Sequence, residues 1–218
     1  MNILLLENER DADSPLLDLV RQCWPGGLIQ TKACRDALAQ INGPRYISIL
    51  IAEQNLTDGT GLDLIQVGHN RGLLAFTHSM LTTAFPDRAT VIRAKAVGLG
   101  QFLVKPLKSD YLVNALNQTL ERIQHANQFN KEADEWELLE LRAFIEELTP
   151  STVNERLIQE LVTMAGGIGW IAGVQASIRI RPYLSLAHRK QSFIEMALQD
   201  LKQNFELVLS WQKVATTG

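Results

Sequence analysis

Four short stretches of this chain carry side chains that can handle charge together: Glu7-Asn8-Glu9, Glu53, Thr83-Ala84 and Lys105-Pro106. Carboxylates are hard oxygen donors of the kind a divalent cation takes, and an ammonium makes charge-assisted hydrogen bonds to anionic oxygens. Each stretch sits at or just after the end of a short apolar run. If those runs are parallel strands of one open sheet, their carboxyl ends gather the acids, the hydroxyl and the lysine at a single edge, where ligands of such sheets bind. Glu53 would then lie within reach of Lys105.

The elements that must do this positioning are readable through residue 124. Asn2–Leu6, Leu28–Thr31, Ile47–Ala52, Ser79–Thr83 and Gln101–Val104 read as strands. The third is the most apolar, which predicts a central place. Ser14 offers an N-cap with Pro15 at the first helical position, and Leu16, Leu17, Val20 and Trp24 recur on one face until Gly26-Gly27. Ala33–Ile41 reads as a second helix. The turn Asp58-Gly59-Thr60-Gly61 starts a third through Leu64 and Ile65, Pro86 begins a fourth that Gly98 and Gly100 terminate, and Ser109 caps a fifth to about Ile123. Residues 68–78 carry no decisive pattern. The alternation predicts an α/β fold, a five-stranded doubly wound parallel sheet over residues 1–124.

These residues, in this order, resemble the receiver (CheY-like) domains of two-component response regulators, whose fold is flavodoxin-like. In that family an acidic pair after strand one binds magnesium, an aspartate after strand three accepts a phosphoryl group, and a Thr or Ser and a lysine before proline grip it. The resemblance places Glu7 and Asn8 on the acidic pair, Glu53 on the acceptor, Thr83 on the hydroxyl position and Lys105 on the lysine. Phe102 falls on the aromatic that reorients on activation. The run Glu53-Gln-Asn-Leu-Thr-Asp-Gly-Thr-Gly61 follows the acceptor loop, although Thr57 replaces a common proline.

Two departures bear on function. Glu53 is longer than aspartate by one methylene, enough to move the accepting oxygen by about a bond length and spoil in-line attack. Asn8 removes one anionic ligand, so Glu7 and Glu53 should hold magnesium weakly or not at all. A permanent carboxylate at Glu53 paired with Lys105 could imitate part of a phosphorylated state. The resemblance thus implies a degenerate receiver, a pseudo-receiver outside the aspartate phosphorelay. The plainer alternative is an ion-pair cluster that only supports the loops.

Composition narrows the classes further. With 46% apolar residues and a net charge of -3, the chain has material for a core and no global field that draws it to nucleic acid or lipid. Cys23 and Cys34 lack the spacing of a zinc site or the density of a disulfide scaffold. Met1 leads straight into Ile3-Leu4-Leu5-Leu6 and then acids, without a basic leader, and no run approaches the ~18 apolar residues of a membrane span. The expectation is a cytoplasmic protein with no cofactor and no membrane partner.

Residues 125–218 predict an all-helical domain for output or dimerisation. His125–Asn130 interrupts the apolar period as a linker or a break. Residues 131–148 hold seven acids against two bases, with Leu138, Leu141, Phe144, Ile145 and Leu148 at helical spacing. After Thr149-Pro150, Thr152 with Glu155 offers a capping box for a helix through Leu157, Leu161 and Met164. Residues 168–181 fit either a buried helix packed through Gly169 and Gly173 or two short strands. Ser185–Val214 is helical, which completes four helices.

Three signals there could carry function. The glycines at 167, 169 and 173 follow a helix rather than a strand, so close packing explains them better than a phosphate loop. Ala187-His188-Arg189-Lys190 faintly resembles a histidine phosphotransfer site, without its lysine spacing. Arg179, Arg181, His188, Arg189 and Lys190 are the chain's basic cluster and could contact DNA. Two readings follow: a degenerate response regulator acting on a signalling partner, or as a homodimer, through its fourth and fifth helices; or a transcription regulator whose helical half binds DNA. Neither requires catalysis.

Overall fold

The computed structural model describes residues 1–8, 14–24, 26–129, 135–184 and 191–216. In chain order the elements are β1 (Asn2–Leu6), α1 (Pro15–Cys23), β2 (Gly27–Thr31), α2 (Cys34–Ile41), β3 (Ile47–Glu53), β4 (Asn55–Leu56), β5 (Gly59–Thr60) and α3 (Gly61–Asn70). Next come β6 (His78–Thr83), α4 (Arg88–Ala96), β7 (Gln101–Val104) and α5 (Ser109–Ala126), and then α6 (Glu135–Glu147), α7 (Glu155–Gly167), α8 (Ile171–Leu184) and α9 (Gln191–Thr216). Two compact units result. One holds Asn2–Asn42 and Ile47–Glu121; the other holds Met1, Gly43–Tyr46 and Arg122–Gly218.

The first unit is the expected five-stranded parallel sheet, in the order β2-β1-β3-β6-β7. Its inner strands β1, β3 and β6 are buried on both faces, which is why they read as apolar runs; β3 is central and every residue from Ile47 to Ala52 is buried, whereas the edge strands β2 and β7 are partly exposed. Leu4, Leu6, Leu50, Ala52 and Leu81 pack with Ala37 and Ile41 of α2, Leu62 and Ile65 of α3 and Ala94 of α4. Two boundaries correct the sequence reading. The fourth helix starts at Arg88, because Asp87 caps it by accepting from the Thr90 amide at 2.9 Å. The turn after β3 holds a small antiparallel hairpin, β4 with β5, that the sequence did not announce.

The second unit is helical, with α8 packed between α7 and α9. Of the two alternatives for 168–181 the helix is the one found. Trp170 is fully buried beside Phe205, ring centroids 5.1 Å apart. A Cβ on Gly173 would lie 2.1 Å from Trp170 Cε3, so this glycine makes room for the indole. Gly169, at φ +79°, forms the turn between α7 and α8. The capping box is a correction: Asn154, not Thr152, caps α7, its Oδ1 accepting from the Leu157 amide at 3.1 Å, while Thr152 bonds within the 149–152 turn. No helix among the described residues is long and apolar enough to cross a membrane.

Candidate functional site

The carboxyl ends of β1, β3, β6 and β7 do meet at one edge, held by backbone hydrogen bonds between neighbouring strand exits. The Gln54 amide donates to Thr82 O at 2.7 Å and the Lys105 amide to Thr83 O at 2.7 Å. Glu53, the last residue of β3, is therefore fixed where its side chain meets the β7 exit. Its Oε1 accepts from Lys105 Nζ at 2.9 Å and its Oε2 from the Asn8 backbone amide at 2.9 Å. The two side chains are only 15% and 22% exposed, so water screens this pair less than a surface pair.

A close approach of α3 frames the pair. A Cβ on Gly61 would stand 2.4 Å from Glu53 O, and the Gly61 amide donates to Gln54 O at 3.1 Å. Any other residue at 61 would push the α3 N-terminus off the β3 exit. The hairpin between them carries Asp58, whose carboxylate reaches back to α2. Oδ1 accepts from the Cys34 amide at 2.8 Å and Oδ2 from the Arg35 amide at 3.0 Å. The residue at the α2 N-cap, Ala33, has no side-chain acceptor of its own, and Asp58 supplies the acceptor from a distant position. The Arg35 and Cys34 amides hold the Asp58 carboxyl below the usual carboxylate range. Thr60 caps α3 and, with Arg93 at 2.6 Å, lowers the pKa of Asp63.

The remaining predicted positions are placed as follows. Glu7 is buried, and its Oε1 accepts from Ser14 Oγ at 2.9 Å, which joins it to the N-cap of α1. Thr83 is buried, with Oγ1 accepting from the Phe85 amide at 3.1 Å. Phe102 packs against the core on the α2-α3-α4 side of the sheet. A resident magnesium, which the resemblance implies, does not fit these donors. Both Glu53 oxygens accept hydrogen bonds, one from a cation, and no cluster of three metal-ligating side chains occurs among the described residues.

The basic cluster of the helical half divides. Arg179 donates to Gly43 O at 3.3 Å and is half-buried, which lowers its pKa by desolvation. Arg181 pairs with Glu155 at 3.1 Å and hydrogen-bonds Gln159. Both arginines serve the packing of their own unit. His188, Arg189 and Lys190 lie outside the described residues.

Sequence reading missed Asp58, Thr82 and the Ser14 link. Thr82 is fully buried and pairs in register with Glu53, so it flanks the site on the same face of the sheet. The signal for Asp58 was present: a helix beginning at Cys34 without a Ser, Thr, Asp or Asn before it needs an acceptor from elsewhere.

No protein-family model matches this chain, and no curated protein sequence does. Solved structures do. The signal receiver domain of a protein described as a LuxO repressor, from Vibrio parahaemolyticus, aligns at 21% identity and TM-score 0.50 over 56% of this chain and 90% of that one. A two-component response regulator from Clostridium difficile aligns at 20% identity and TM-score 0.50, over 56% of this chain and 98% of that one. The sheet unit has the receiver fold.

Proposed function

We propose that this protein is a degenerate response regulator, an adaptor whose receiver-fold half is held in one state without phosphorylation. The observation that carries the reading is the Glu53–Lys105 pair. At 2.9 Å a permanent carboxylate engages the lysine that the family resemblance assigns to an incoming phosphoryl oxygen. Asn8, whose amide takes the other Glu53 oxygen, leaves the edge short of the anionic ligands a magnesium-dependent transfer needs. Output then runs through protein contact. The edge strand β7 and the segments beside it in the chain expose Phe85, Ile92, Val104 and Tyr111, an apolar set of the kind that marks an interaction surface.

The direct test is acetyl phosphate with magnesium, read by intact mass. The wild-type chain should gain no phosphate; a phosphorylated wild type overturns the proposal. Glu53→Asp, treated in parallel, reports whether the longer side chain alone silences the edge.

A further inference from the structure

Helix α6 carries apolar side chains on two sides. Leu141 and Ile145 are buried in its own unit, while Trp136, Leu139 and Ala143 are exposed on the opposite side at i, i+3 and i+7. Trp136 is 79% exposed, more than any other large apolar side chain among the described residues, and Leu139 is 49% exposed. The spacing is that of the seam by which one helix packs along another. It runs about 10.5 Å along the helix axis, with a bulky indole at one end and a small methyl at the other.

The charges beside this seam are unequal. On the flank toward α9, Arg142 pairs with Glu206 at 2.8 Å and Glu146 with Lys202 at 3.4 Å, so these side chains are engaged within the unit. On the other flank stand Glu140 and Glu147, each one turn beyond a seam residue, exposed and paired with no base among the described residues. Positions of this kind beside a seam set which partner a helix accepts.

The acids argue against a second copy. An antiparallel pair of α6 helices would set Glu140 and Glu147 against the same residues of the other copy. A parallel pair would set Glu140 against the exposed Glu135, and Arg142, the single base of the helix, is already held by Glu206. Phosphate backbones and anionic lipid are repelled for the same reason.

We infer that the outer face of α6 docks a basic amphipathic helix of another protein, with apolar residues at i, i+3 and i+7 and Lys or Arg beside Glu140 and Glu147. The contact needs only the helical unit's own surface, goes beyond the β7 surface, and is independent of the chemistry at Glu53. Desolvation of Trp136 supplies affinity, since a buried Trp is a frequent hot spot, and a bulky partner side chain can sit over Ala143. The exposed ion pairs are individually weak and supply choice of partner and direction.

The experiment is fluorescence anisotropy of a labelled synthetic helix with leucine at i, i+3 and i+7 and lysine on both flanks, titrated with the full chain at low salt. The same peptide with glutamate for lysine is the comparison, and far-UV circular dichroism of each variant is the folding control. The lysine peptide should bind at least tenfold tighter than the glutamate peptide, and more weakly as salt is raised. Trp136→Ala should weaken that binding roughly tenfold or more, and Glu140→Lys/Glu147→Lys should reverse the preference between the two peptides. Equal binding of the peptides, or binding indifferent to both variants, overturns the inference. So does a concentration-dependent dimer in sedimentation velocity that Trp136→Ala abolishes, which would make a second copy the occupant, or a Trp136-dependent association with phosphatidylglycerol vesicles, which would make it a membrane. The acetyl phosphate result bears on none of these outcomes.

Discussion

The Glu53 side chain is longer than an aspartate's by about one bond length, and its carboxylate accepts from Lys105 Nζ at 2.9 Å through one oxygen and from the Asn8 amide through the other. Exposed ion pairs contribute about 0–1 kcal/mol, whereas a pair with both partners mostly out of water carries more. A double-mutant cycle on Glu53→Gln and Lys105→Met, followed by urea unfolding, should give a coupling energy of about 1–2 kcal/mol, diminished little by salt. A coupling near zero would mean that the two groups are neighbours without a fixed geometry, and the locked-state reading would lose its support. The pair was readable from the sequence because strand ends in a parallel sheet converge. The commitment of Glu7 to Ser14 was not, since the acidic pair and the α1 N-cap compete for one carboxylate and residue spacing does not decide which partner takes it.

At the scale of elements, α2 depends on a residue that is not part of it. Asp58 reaches across twenty-four positions to satisfy two amides at the α2 N-terminus, where the helix dipole also favours a negative charge. Its carboxyl pKa is held below the ordinary aspartate value, first by the Arg35 amide and then by Cys34. A lowered pKa means the stabilisation is fully present above the unfolded pKa of about 3.9 and is lost as pH falls through the lower folded value. Asp58→Ala should therefore cost about 1 kcal/mol at neutral pH, the ordinary worth of a cap, with less of it at high salt because the group is exposed. The deficit should close in acid; a gap between variant and wild type that persists below pH 3 would refute the charge argument. Cys34 gives a second readout. Burial, then Asp58, pushes its thiol up to about 11, so Asp58→Asn should speed its alkylation at pH 8. The large elements were legible because their patterns are long: the apolar strands, and helices α6, α7 and α9 after residue 134. The β4–β5 hairpin was not, since two-residue strands have no period. Helix α8 stayed ambiguous because it is apolar on most sides, and the sequence reading placed the α7 cap two residues early, at Thr152, where Asn154 is the residue that reaches the Leu157 amide.

At the scale of the whole molecule, the chain contributes to the helical unit three times, through Met1, through Gly43–Tyr46 and again from Arg122 onward. The early segment is held there by polar contacts to late residues: the Tyr46 amide donates to Asp200 Oδ2 at 3.2 Å, and Arg179 donates to Gly43 O at 3.3 Å. A division drawn by sequence order alone, at residue 124, separates Gly43–Tyr46 from these partners. Asp200 is buried and also accepts from Asn204 Nδ2 at 3.3 Å. Asp200→Ala should cost about 1–3 kcal/mol in urea unfolding, because two buried donors lose their acceptor. Tyr46 gives the same segment a pH signature. Burial raises its phenol to about 12, with Arg179 pulling it partly back, while an unfolded tyrosine ionises near 10. Between about pH 10 and 12 the unfolded chain gives up this proton first, so stability falls as pH rises, by at most roughly 1.4 kcal/mol per unit for one group. Tyr46→Phe removes the proton and should flatten that alkaline fall whatever it does to stability at neutral pH. If the variant instead loses stability as steeply as the wild type in that window, Tyr46 is not shielded and the early segment is not seated on the helical unit.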